Sequence, residues 1–121
     1  MTITSLARVQ TDRPARYGKQ LASHMSRRLN TEWDAEQERG HITFQNEEFT
    51  EGLSGTVTLS TEENILLMEL TTEPEHVEQI ESVIGRHLVG FGSREELVVT
   101  WEREGGGGTT YTTENAPEKK R

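Results

Sequence analysis

A chain of 121 residues is long enough for one domain with its own core, and the absence of cysteine excludes disulfides, thiolate zinc sites and cysteine nucleophiles. The formal net charge of −8 would repel a phosphate backbone, so no nucleic-acid partner is expected. The longest apolar run, Ile65-Leu66-Leu67-Met68, is strand length and far short of the roughly 18 residues of a membrane span, and the first residues lack the basic and apolar parts of a signal peptide; no membrane association is expected, and the cytoplasm is the default location.

Taken in order, Ile3, Ser5, Ala7 and Val9 alternate with Thr4, Leu6, Arg8 and Gln10, the period of a strand with small residues on one side. Thr11 or Asp12 then caps a helix with Pro14 in its first turn. Tyr17, Leu21 and Met25 form its inward stripe, His24 lies beside them, and Arg16, Lys19, Ser23 and Arg27 face solvent. Gly18 weakens this helix by about 1 kcal/mol relative to alanine, a cost that a close neighbour would explain. From Leu29 the period changes to two: Leu29, Thr31 and Trp33 read as a strand, residues 34–40 as a polar turn, and Ile42 and Phe44 as a third strand. Residues 45–52 read as an acidic loop with Phe49 against the core. Val57 and Leu59 mark a fourth strand, residues 61–64 a turn and residues 65–71 a fifth strand. That fifth strand is apolar on both faces for four residues, as a strand in the middle of a sheet would be.

Thr72 and Glu75 have capping-box spacing, with Pro74 in the first turn of a second helix. Val77, Ile80, Ile84, His87, Leu88 and Phe91 form its apolar stripe, Glu78, Gln79, Glu81 and Arg86 fall elsewhere, and Gly90 and Gly92 suit its end. A last strand covers residues 96–102, with Leu97, Val99 and Trp101 on one face. The order β-α-β-β-β-β-α-β predicts an α+β two-layer sandwich: a mainly antiparallel sheet of about six strands, two helices on one face and the other face wet. Residues 1–104 form that domain, and the glycine- and threonine-rich residues 105–121 read as a flexible tail. Tyr17, Leu21, His24 and Met25 match Ile80, Ile84, His87 and Leu88 at a constant offset, which two amphipathic helices under one packing rule would produce.

His24 and His87 are the sharpest candidates for a site, each on or beside an apolar stripe near the negative end of its helix. Arg94 offers a planar fork to a carboxylate or phosphate, and Glu95 is its acidic neighbour. No two histidines have the close helical spacing of a zinc site, so neither a metal nor a cofactor is expected. Ser23-His24 is no catalytic pair, because neighbours on a helix point about 100° apart, and Gly90-Phe91-Gly92 ends a helix instead of opening one as a phosphate loop would. No residue is assigned as catalytic.

Residues 11–24, Thr-Asp-Arg-Pro-Ala-Arg-Tyr-Gly-Lys-Gln-Leu-Ala-Ser-His, and residues 85–101, with the run His-Leu-x-x-Phe-x-x-Arg-Glu-x-Leu-x-x-x-Trp, resemble an uncharacterised bacterial domain-of-unknown-function family, number 2218. The resemblance covers residues 3–103. Members of that family often lie beside genes for siderophore uptake, which implies an accessory role in iron acquisition. The expected function is therefore a non-catalytic accessory protein that binds a siderophore-related small ligand or a protein partner, with His24, His87, Arg94 and Glu95 at the site. Two alternatives stand beside it: a small enzyme acting on a siderophore, with His87 as general base oriented by Glu95, and a structural module that forms a homodimer through the exposed sheet face or an edge strand.

Overall fold

The computed structural model describes residues 2–26, 29–44, 55–91, 97–108 and 110–112. Strand β1 (Ile3–Gln10) leads into helix α1 (Pro14–Met25), four strands follow as β2 (Asn30–Asp34), β3 (Arg39–Phe44), β4 (Gly55–Glu62) and β5 (Ile65–Thr72), and a 3-10 turn (Pro74–His76) opens α2 (Val77–Phe91) before β6 (Val99–Arg103) and β7 (Thr110–Tyr111). The strands form one seven-stranded sheet in the order β2-β3-β4-β5-β1-β6-β7, antiparallel throughout. The expected α+β two-layer sandwich is the observed fold, with one strand more than the sequence pattern indicates.

Register explains which face is dry. Ala7 stands opposite both Met68 and Trp101, Met68 also opposite Leu59, and Val57 opposite Ile42, so these side chains share one face, and all are buried. Both helices cover that face, α1 over β2 to β5 and α2 over β5 to β7, and they touch each other. The alternate residues Arg8, Thr58, Glu69, Thr100 and Glu102 are exposed on the other face. Strand β5 sits at the centre, as its run of apolar residues predicts: Leu66, Met68 and Leu70 are buried, and Ile65 and Leu67 are half-buried on the far side.

Three local expectations change. The N-cap of α1 is Arg13, which makes no side-chain cap bond; Thr11 Oγ1 instead accepts the Arg13 N–H at 3.1 Å. The Thr72/Glu75 capping box does not form: the 3-10 turn starts from Glu73 without a side-chain cap bond, and Thr72 ends β5, where the sheet holds it. Residues 110–111, expected inside a flexible tail, form β7, with Thr110 opposite Thr100 and Tyr111 opposite Val99, and the Tyr111 ring lies against Gly85 of α2. The reading of 45–52 as a loop with Phe49 tacked inward falls outside the described residues.

Gly18 has the close neighbour its place in a helix calls for. A Cβ there would stand 2.8 Å from Trp33 Cη2 and Cζ3 and 3.3 Å from Leu66 Cδ1. Gly18→Ala gains about 1 kcal/mol of helix propensity but incurs the roughly 1–3 kcal/mol of overpacking against a rigid indole. The expected result is a net loss of stability in urea unfolding, the reverse of the change that an exposed helical glycine gives.

Candidate functional site

The inward faces of the helices bring their C-terminal halves together. Buried residues Tyr17, Gly18, Leu21, Ala22 and Met25 of α1 correspond at one constant offset to the buried Ile80, Glu81, Ile84, Gly85 and Leu88 of α2. The same offset relates His24 to His87, whose ring centroids lie 5.0 Å apart with planes inclined at 44°. The two histidines nearest the apolar stripes are therefore neighbours, 63 residues apart in sequence yet in contact where the helices meet.

The surroundings of the two rings differ. His24 is exposed, in the last turn of α1, and His87 is half-buried. The reason is angular: His24 stands one position before Met25, at the edge of the stripe, so the packing that buries Met25 leaves the imidazole at the rim. His87 Nδ1 lies 2.7 Å from the Val83 carbonyl oxygen one turn back. A carbonyl only accepts, so Nδ1 carries the proton and donates, and in the neutral ring the lone pair is on Nε2. Orientation of His87 thus comes from a backbone carbonyl. The carboxylate proposed for that task, Glu95, lies outside the described residues, as does Arg94.

A second cluster escapes sequence reading. Glu81 of α2 is fully buried, and its carboxylate accepts from Ser5 Oγ at 2.6 Å, Arg103 Nε at 3.0 Å and an Arg103 terminal nitrogen at 2.7 Å. Ser5 and Arg103 are direct partners across β1 and β6, so α2 lowers Glu81 onto a serine–arginine pair already aligned by the sheet. The Arg103 pKa is raised, chiefly by the hydrogen bond to Glu81 against the opposing effect of burial. Serine beside a carboxylate resembles a nucleophile and its base, but Ser5 and Glu81 are both 0 % exposed and the fork of Arg103 occupies both carboxylate oxygens. The arrangement is a buried structural tie. A usable signal was present: Glu81 follows Ile80 on a helix whose buried stripe is broad enough to include that position.

The far face of the sheet holds a shallow groove of about 650 Å³ across β2, β3 and β4, lined in part by Asp34, Arg39, His41, Thr43 and Thr58. It lies away from the helices and hence from the histidine pair. Among the described residues no three His, Cys, Asp or Glu side chains cluster as a metal set, and no helix is long and apolar enough to cross a membrane.

The solution NMR structure of PA4090 from Pseudomonas aeruginosa is similar to this fold, with a TM-score of 0.61 and 24% sequence identity over 83% of this chain and 95% of that chain. At that identity the likeness is one of fold. No curated protein matches the chain. The family model described as "Uncharacterized protein conserved in bacteria (DUF2218)" matches residues 6–102, a span that runs from β1 through both helices to β6 and takes in both histidines and Glu81, with Ser5 and Arg103 one residue beyond its two ends. On that match, the chain belongs to the DUF2218 family of bacterial proteins.

Proposed function

We propose that this protein is a non-catalytic binding protein whose small ligand seats on His24 and His87 at the seam between the helices, and that its role is accessory to iron-siderophore handling. The observation that carries the site is the 5.0 Å approach of two imidazoles from separate helices, one of them held in a set orientation by a main-chain carbonyl. One ring is open to solvent, so a ligand reaches the pair without rearrangement of the core. The siderophore connection rests on the family resemblance alone, and Arg94 and Glu95 belong to the reading on sequence grounds.

Equilibrium titration of the purified protein with ferric siderophores and with haem tests it. Saturable binding that falls at least tenfold in both His24→Ala and His87→Gln is the expected result. No binding of either compound, or binding that neither substitution changes, would overturn it.

A further inference from the structure

We infer that the His24–His87 pair is a chelating site for a divalent transition-metal cation, with the remaining coordination positions open to water or to an external ligand. The inference deepens the binding role proposed above and rests on the same pair. Its first support is metric. An imidazole nitrogen bound at about 2.0–2.1 Å places its ring centroid roughly 3.2 Å from the metal, so two rings on one tetrahedral cation stand about 5 Å apart. The observed centroid separation, 5.0 Å, matches that value.

The second support is orientation. Histidines that ligate metals commonly donate their other ring N–H to a carbonyl or carboxylate, which sets the tautomer and raises the basicity of the ligating nitrogen. His87 has this arrangement, with Nδ1 on the Val83 carbonyl and Nε2 left for coordination. The electrostatic setting also suits a cation. His24 is in the last turn of α1, where the helix presents its negative end, and the chain carries a net charge of −8. Imidazole donors favour Zn, Ni, Cu and Fe(II) over Mg or Ca. Among the described residues the pair supplies two ligands, which leave a cation unsaturated, so a bound metal would recruit a further chelating molecule, and the ligand of this site would be a metal complex.

The test is titration of the full chain with Ni(II), Zn(II) and Co(II) by calorimetry, with the visible spectrum of Co(II) reporting tetrahedral nitrogen coordination. Saturation at one ion per chain is expected, with affinity at least about tenfold lower in His24→Ala and in His87→Gln. Because His24 is exposed, its variant keeps the fold, and the urea midpoint of each variant checks this. No saturable binding to the native protein would overturn the inference, as would binding that His24→Ala leaves unchanged, since that would assign the ion to the acidic surface. Histidine-dependent binding of a ferric siderophore without any binding of the divalent ions would also overturn it while leaving the proposed function standing. Divalent-ion binding at the pair without siderophore binding would support the inference and remove the siderophore role.

Discussion

Glu81→Ala is expected to cost about 3–5 kcal/mol of stability, the range for removing one partner of a buried ion pair. The magnitude follows from what remains. Arg103, 22 % exposed in its side chain, keeps its charge without its hydrogen-bonded carboxylate and with only the weaker field of Glu78, and the Ser5 hydroxyl loses its acceptor in a place that water does not reach. A shift of the urea midpoint equivalent to less than about 1 kcal/mol would show that the trio contributes little. Ser5→Ala, which removes one neutral donor and leaves the pair, is expected to cost about 1–2 kcal/mol. Replacing both charges together, Glu81→Leu with Arg103→Met, should recover most of the loss, because desolvating two ions offsets much of their attraction. The raised pKa of Arg103 fixes the sign of the alkaline response. A group whose pKa is higher in the folded state contributes stability fully below its unfolded value and loses it only as the pH climbs through the folded one. The guanidinium side of this pair should therefore hold without decline from neutral pH to pH values around 10.

The second large effect is expected at Gly40. A Cβ there would collide with the backbone carbonyl oxygen of Glu32 and stand 2.9 Å from Trp33 Cε3. The obstacle is the main chain of the paired strand: Trp33 and Gly40 are partners in the β2–β3 ladder, so β2 cannot withdraw without breaking that pairing. Gly40→Ala should then cost about 2–3 kcal/mol, the upper part of the overpacking range, and distort the groove on the far face. A neutral result in urea unfolding would mean that the hairpin shifts freely. Gly18 and Gly40 thus both lie against Trp33, a helix residue at Cη2 and Cζ3 of the indole and a strand residue at Cε3. Neither position is spared a side chain for the sake of backbone freedom.

How much of this was legible before the fold was known depends on the range of the interaction. Alternation in Ile3 to Gln10, the doubly apolar Ile65 to Met68 and the three-and-four spacing of Tyr17, Leu21 and Met25 all report burial of one face of one element, and each stands where that pattern puts it. Capping was less legible. Thr72 and Glu75 satisfy a local motif, but Thr72 is the last residue of β5, paired with Ile3 and Gly55, and the sheet takes precedence over the cap. Tyr111 was hidden for the opposite reason: its neighbours are glycines and threonines with nothing local to bury, and its partner Gly85 lies in α2.

The amino-acid sequence alone determined the identity and order of the main elements, the single buried face of the sheet and the presence of one histidine near the end of each helical stripe, because periodicity is a property of each segment by itself. Tertiary structure decided that the two imidazoles meet, that Glu81 is buried with Ser5 and Arg103 and that β7 closes the edge, because these pairings join residues far apart in the chain. Such contacts are set by how helices cross a sheet, which depends on every inward side chain at once.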